Sequence, residues 1–167
     1  LSKFYQSVLA SERDQHVRRV LWRWGEKTLK PDVFVTTTVN FGDKPAGCVA
    51  QIALRETAKL YRALHPVASE IIINDTYSDD TASGADTRQE VEKIVAGMDE
   101  IVSMGGFKYK DVIISGDKTE GEPRKILGVG WHTESDSFFV DAKLNFTEKK
   151  KGLRAEPDVD LDDISEN

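Results

Sequence analysis

The segment Tyr77-Ser78-Asp79-Asp80 places two adjacent carboxylates beside an aromatic residue. Residues 70–76 contain three consecutive isoleucines, which predicts a strand, and residues 81–83 can form the returning strand of a hairpin. Magnesium would offset the repulsion between the two aspartates, since it is often bound by one or two carboxylates together with substrate phosphates. The pair therefore predicts a metal site at a hairpin tip. Aspartate pairs also occur in turns for conformational reasons alone, so a purely structural role stays open.

Three further segments of the chain, together with the Asp pair, resemble segments of one known protein family. Residues 1–8 resemble the segment that follows the first catalytic aspartate of reverse transcriptases, and residues 39–46 resemble the loop and helix start that contact nucleotide and template. Residues 125–131 resemble the Leu-Gly-x-x-Trp strand that follows the palm domain. In this order and spacing, the chain is similar to the reverse transcriptase palm of LTR retrotransposons, with the BEL/Pao group closest, over residues 1–142.

The resemblance implies template-directed DNA synthesis by two-metal nucleotidyl transfer. Asp79 and Asp80 would be the catalytic and metal-binding residues, with Mg²⁺ or alternatively Mn²⁺, and Asp79 would bind the metal directly. The family's first metal-binding aspartate stands immediately before the position of Leu1. Since two-metal chemistry needs several converging carboxylates, we expect the chain to be a polyprotein fragment that is inactive alone.

Four residues would bind the incoming nucleotide by this resemblance: Tyr5, Phe41, Gly42 and Tyr77. Tyr5 matches the aromatic residue that excludes a 2′-hydroxyl, the group by which RNA differs from DNA. Alternatively, Tyr5 is an aromatic residue of the core, which is the role expected for Phe4. Phe41 and Gly42 would lie over nucleotide and template base, because glycine permits close backbone approach, or they form an ordinary turn.

Charge is unevenly distributed along the 167 residues, whose net charge is −6. Six acids and no base follow Arg154, so residues 1–154 are neutral overall. Residues 1–30 hold seven bases against three acids. Arg19 and Arg23 are therefore candidates for nucleic-acid binding, with a solvated charged face as the alternative.

The pattern of apolar residues predicts an α+β fold in which helices pack against an antiparallel sheet. The resemblance implies that this fold is a polymerase palm, with helices on one face of the sheet that carries the Tyr-x-Asp-Asp hairpin. Helices are expected over 2–10, 45–64 and, after the capping box Asp86-Thr87-x-x-Glu90, up to Gly105-Gly106. Strands are expected over 15–24, 33–39, 70–76, 108–115, 125–131 and 137–142.

The predicted organisation is a palm over residues 1–115, incomplete at its N-terminus, a strand hairpin over 116–145, and a charged linker with a disordered acidic tail over 146–167. Expected partners are an RNA or DNA template with primer, deoxynucleoside triphosphates, and the fingers, thumb and RNase H of the polyprotein. No apolar stretch is long enough for a membrane span, so no membrane partner is expected. The expected location is the cytoplasm, in the element's virus-like particle, or the nucleus.

Two other functions remain compatible with the residues. A non-catalytic palm derived from such an element could bind nucleic acid or protein. A small Ca²⁺ module could use Asp75, Asp79 and Asp80, although the chain lacks the Glu-terminated twelve-residue loop of an EF-hand.

Overall fold

The computed structural model describes residues 1–118 and 123–140 and belongs to the α+β class. A 3-10 turn spans Tyr5–Ser7. The α-helices are α1 Glu12–Gln15, α2 Ala46–Leu60, α3 Pro66–Asn74 and α4 Arg88–Met104. The strands are β1 Arg19–Trp22, β2 Asp32–Val35, β3 Thr76–Tyr77, β4 Asp80–Thr81, β5 Arg124–Ile126, β6 Val129–His132 and β7 Ser137–Phe139. The predicted linker and tail over 146–167, and the end of the strand predicted over 137–142, lie outside the described residues.

The core lies between α2, α3 and α4. Helix α2 buries a face of small residues and one leucine, spaced four residues apart: Ala46, Ala50, Leu54 and Ala58. Because alanine side chains are short, neighbouring helices can approach this face closely. Val49, Ile52 and Leu60, which the sequence pattern places in the apolar face, are exposed instead. The remaining core positions come from α3, α4 and two phenylalanines: Phe4, Ala68, Ile71, Ile72, Met98, Ile101, Val102 and Phe107.

Helix α4 agrees with the sequence prediction at both ends. Thr87 caps its N-terminus, since its hydroxyl accepts a hydrogen bond from the backbone N–H of Glu90 while the Glu90 carboxylate accepts one from the N–H of Thr87. Gly105 is the C-terminal cap. This reciprocal arrangement satisfies two donors that the first helical turn leaves without intrahelical partners.

The strand predicted over residues 70–76 is wrong, because nearly all of this segment belongs to α3. Pro66 occupies the start of the helix, where its missing N–H costs nothing. Ala68, Ile71 and Ile72 then recur at helical spacing and are buried against the other helices. Burial of this apolar stripe outweighs the β preference of the isoleucines, since tertiary packing overrides local propensity.

The single sheet with helices on one face is not found among the described residues, which form three small antiparallel sheets. Residues 108–115 carry only an isolated bridge between Lys108 and Ser2. The helix expected over 2–10 is reduced to its 3-10 turn, and α1 occupies the start of the strand expected over 15–24. Residues 125–131 fold as two strands instead of one, since a tight turn at Leu127 and Gly128 reverses the chain.

Candidate metal and nucleotide site

The Asp pair lies at the tip of the β3–β4 hairpin, as predicted, although each strand has only two residues. Tyr77 pairs with Asp80 across the hairpin, so Ser78 and Asp79 form the two-residue turn. Ser78 has a positive φ of 57°, a conformation that tight hairpin turns require at such positions. Asp79 and Asp80 are exposed, and neither carboxylate has a hydrogen-bond or ion-pair partner within residues 1–118 and 123–140.

Two distant parts of the chain hold the backbone of this turn. The side-chain amide of Gln51, on α2, donates from Nε2 to the carbonyl oxygen of Ser78 at 2.7 Å. The N-terminal ammonium of Leu1 donates to the carbonyl oxygen of Asp79. Consecutive carbonyls of the turn are therefore anchored to different elements, which fixes the position from which both carboxylates project.

The base of the hairpin is held by side-chain contacts behind the tip. The hydroxyls of Thr76 and Thr81 lie 2.9 Å apart across the two strands. Asp75 caps the end of α3 and is not on a strand. Its carboxylate accepts a hydrogen bond from the Ser83 hydroxyl at 2.9 Å, and its carbonyl accepts one from the N–H of Ala82 at 3.2 Å. Asp75 thus links the residues that follow β4 to the end of α3. It is not one of the candidate metal-binding residues.

The acidic tip offers two carboxylate groups for a cation. No cluster of three or more His, Cys, Asp or Glu side chains that could hold a metal occurs among the residues that the structure describes. Exposed, unpaired oxygens suit a hard cation that keeps several waters, as Mg²⁺ does, so the tip fits an ion that is completed by other ligands. The Ca²⁺ module of Asp75, Asp79 and Asp80 does not fit, because Asp75 is engaged with Ser83.

Tyr5 and Phe41, two predicted nucleotide-binding residues, are in contact. Their ring centroids are 4.9 Å apart in an edge-to-face arrangement. Phe4 is buried in the core, as expected, whereas Tyr5 is half-buried at its margin and Phe41 is largely exposed. The Tyr5 ring is therefore partly accessible, and Phe41 packs on one side of it.

Helix α2 connects this aromatic pair with the hairpin. The Tyr5 hydroxyl lies 4.0 Å from the position that a Cβ on Gly47 would occupy. Gln51, which holds Ser78, follows Gly47 by four residues, so the two share one helix face about 6 Å apart along the axis. Tyr5 and the acidic turn consequently border the same face of α2.

Gly42 and Tyr77 complete the predicted nucleotide set. Gly42 has a φ of 87° in the loop before α2, and nothing lies within 4 Å of the position of an added Cβ. A side chain there would be strained by the backbone and not by crowding. Tyr77 is exposed on β3 beside the acidic turn.

Arg19 and Arg23 do not join this site in the described contacts. Arg19 lies on β1, with Nη2 3.3 Å from Nδ1 of His16, and Arg23 donates from Nη1 to the carbonyl of Lys27 at 3.1 Å. Both arginines belong to the β1–β2 hairpin, which is a separate surface.

A cavity of about 130 Å³ lies behind the β3–β4 hairpin, between α4 and residues 109–113. Tyr109 lines it, and burial raises the pKa of this phenol. The neighbouring Thr81 side chain partly opposes the shift, whereas the charge of Asp99 adds to it. Sequence reasoning identified neither Tyr109 nor Gln51, because a polar residue in an amphipathic segment carries no sign of the distant group it meets.

Every helix within the described part of the chain is too short or too polar to cross a bilayer. Comparisons with protein-family models, curated proteins and solved structures gave no match.

Proposed function

We propose that the chain is the palm portion of an RNA-directed DNA polymerase of the LTR retrotransposon type, working by two-metal nucleotidyl transfer with Mg²⁺. The observation that carries the proposal is the anchored acidic turn. Two unpaired carboxylates project from a backbone held by Leu1 and Gln51, beside the helix face that Tyr5 borders.

Asp79 and Asp80 would hold the metal through their carboxylate oxygens. Bound divalent ions would stabilise the attacking 3′ oxygen of the primer and the leaving pyrophosphate oxygen. The protein's own contribution is positional, since phosphoryl transfer depends mainly on alignment and charge stabilisation. Gln51 acts here as a positioning residue, because it holds the turn from which both carboxylates project.

The contact between Leu1 and Asp79 bears on the further carboxylate that this chemistry needs. A residue joined before Leu1 would lie next to the Asp79 carbonyl, at the edge of the acidic turn. The resembling family carries its first metal-binding aspartate at that position. An aspartate joined at that position would bring a third carboxylate to the edge of the acidic turn.

Tyr5 would exclude ribonucleotides by occupying the volume beside the sugar. Its ring is packed edge-to-face on Phe41, which restrains its orientation. Phe41 is exposed and could contact the nucleotide, while Gly42 lets the backbone approach it closely.

Metal binding is testable on the chain itself. Mn²⁺ should broaden NMR signals of residues 77–81 before any others, and replacing both Asp79 and Asp80 by Asn should abolish this. Glu12→Gln, in α1, is a matched control that removes an acid from another exposed site. Broadening that persists in the double variant would place the metal elsewhere and reject the assignment.

Catalysis requires the chain joined to an upstream aspartate and fingers and a downstream thumb. This protein should extend a DNA primer on an RNA template with Mg²⁺, and Asp79→Asn should stop the reaction. Tyr5→Ala should admit ribonucleotides, with Tyr5→Phe as the control that keeps the ring. Polymerisation that survives Asp79→Asn would overturn the catalytic role, and continued exclusion of ribonucleotides by Tyr5→Ala would overturn the gate.

A second candidate function is a non-catalytic module that binds nucleic acid through the palm. The exposed aromatic and basic side chains of the β1–β2 hairpin favour it. Nucleic-acid binding without metal, together with no primer extension by the extended protein, would support this candidate over the polymerase.

A further inference from the structure

The β1–β2 hairpin, here called the ribbon (residues 19–35), is exposed over both of its faces. All eight residues of its two strands are exposed, and most of them are apolar. A two-stranded hairpin is marginally stable in water unless something packs on it. Large exposed apolar patches on soluble proteins commonly mark interaction sites. The ribbon is therefore a candidate binding surface.

One face of the ribbon is aromatic. Val20 pairs with Phe34 and Trp22 pairs with Asp32, so these four side chains share a face. Trp24, just beyond β1, has its ring centroid 6.4 Å from that of Trp22 and 6.0 Å from that of Phe34. Its indole N–H donates to the Asp32 carboxylate at 2.9 Å, which fixes one edge of the ring.

The three rings remain open to solvent despite these contacts. Trp24 is 68% exposed, Trp22 52% and Phe34 44%. By comparison, Trp131 is 7% exposed. The ribbon thus presents a row of rigid aromatic surfaces that nothing else in the described chain covers.

The ribbon and its immediate flank are also rich in basic residues. Residues 16–35 contain five bases, Arg18, Arg19, Arg23, Lys27 and Lys30, against the two acids Glu26 and Asp32. Arg18 is paired with Asp43 at 3.1 Å, while the other four form no ion pair within the described residues. The ribbon is therefore locally positive on a chain whose net charge is −6.

We propose that the aromatic face of the ribbon binds single-stranded nucleic acid. Bases would stack on Trp22, Trp24 and Phe34, and Lys27 and Lys30 in the turn of the ribbon would attract the phosphates. Arg19, which shares the opposite face with Leu21, and Arg23 would add to the local positive charge. Stacking on aromatic side chains within a basic surface is the usual way in which proteins hold single strands without sequence preference. The local positive charge favours this polyanion over an apolar protein partner.

This surface goes beyond the proposed polymerase function, because it needs neither Asp79 nor a metal ion. Binding of a labelled oligothymidylate, followed by fluorescence anisotropy with EDTA present, tests it directly. The double variant Asp79→Asn with Asp80→Asn should bind as the unaltered chain does. Loss of catalysis and loss of ribbon binding are therefore separable results.

Trp24→Ala and Phe34→Ala should each weaken binding about 5- to 150-fold, the range that corresponds to loss of one stacked base. Trp24→Phe, which keeps a ring, should retain most of the affinity. Leu21→Ala is the matched control, since Leu21 is an exposed apolar residue on the opposite face of the same strand. Far-ultraviolet circular dichroism of each variant checks that the ribbon still folds.

Removing two charges of the turn with Lys27→Ala and Lys30→Ala should reduce the slope of log affinity against log salt by about 1.4, because each phosphate contact to a single strand contributes about 0.7. Equal weakening by Leu21→Ala and Trp24→Ala, or an unchanged affinity after Trp24→Ala, would overturn the proposal. A concentration-dependent dimer that Trp24→Ala dissociates in sedimentation, with no oligonucleotide binding, would overturn it in favour of a protein interface.

Discussion

Replacing Gln51 by Glu should destabilise the protein and release the acidic turn. The substitution keeps the size of the side chain but removes the Nε2 donor that lies 2.7 Å from the Ser78 carbonyl. An oxygen of the introduced carboxylate would then face the carbonyl oxygen of Ser78 in a half-buried position. Leaving such a group without its partner costs about 1–3 kcal/mol, which corresponds to a fall of about 2–12 °C in the melting temperature of a domain of this size.

The pH dependence of this variant identifies the mechanism. Burial and the opposing carbonyl should raise the pKa of the introduced carboxyl above its usual value of about 4.3. The penalty is complete above the raised folded-state pKa and disappears below the unfolded value, where the protonated carboxyl can donate to Ser78. The difference from the unaltered protein should therefore shrink as the pH falls towards about 4.

Urea denaturation, followed by circular dichroism at pH 7 and near pH 4, measures both effects. Gln51→Leu should cost less than Gln51→Glu at pH 7, because it also removes the side-chain oxygen Oε1, which is buried without a partner among the described residues. Gln6→Glu, at an exposed position, should change the free energy of unfolding by less than about 0.5 kcal/mol. Equal stability of Gln51→Glu and the unaltered protein at pH 7 would refute the proposed role of this hydrogen bond.

Three further predictions concern the packing and titration of the domain. Gly105→Ala should cost about 1–3 kcal/mol in urea denaturation, because the new Cβ would lie 2.5 Å from Cγ2 of Thr57, and Thr57→Ala in the same chain should recover part of this loss. Hydrogen bonding to the Arg88 guanidinium lowers the pKa of Asp117, so the stabilisation from this pair is present above about pH 3.9 and is lost as the pH falls through the lower folded-state value. Asp117→Asn should remove the part of the fall in melting temperature at acid pH that this pair causes. A fall identical to that of the unaltered protein would contradict this role of the pair. Tyr109→Phe should remove a tyrosinate absorbance transition that lies above the usual pKa of about 10, and it should reduce the loss of stability at alkaline pH. Loss of a transition at the usual value instead would argue against burial of this phenol.

The sequence predicted those elements whose signals are local. Helix α4 follows from its capping box, apolar periodicity and terminal glycines, and α2 follows from its periodicity after Pro45. The hairpin turn at Ser78 and Asp79 was also placed correctly, because turn residues interrupt the apolar pattern on either side. The general α+β class follows from these parts together.

The remaining features depend on contacts between distant residues. Isoleucines 71–73 favour strand locally, and only the apolar surfaces of α2 and α4 make them helical. The exposure of the ribbon could not be read from its sequence, because the consecutive apolar residues 20–22 and 33–35 normally indicate a buried strand. For the candidate site, the sequence identified the Asp pair and the aromatic residues, whereas the Gln51 contact became visible only in the structure. The metal, nucleotide and template roles stay predictions.

The anchoring of the acidic turn through main-chain carbonyls has an evolutionary consequence. Since Gln51 and Leu1 hold backbone oxygens and not carboxylates, the shape of the turn does not depend on what the two side chains are. A lineage could exchange either aspartate, lose the chemistry and still inherit the same scaffold at little structural cost. Selection for catalysis would then act on the two carboxylates, whereas selection for a binding protein could preserve the same backbone without them.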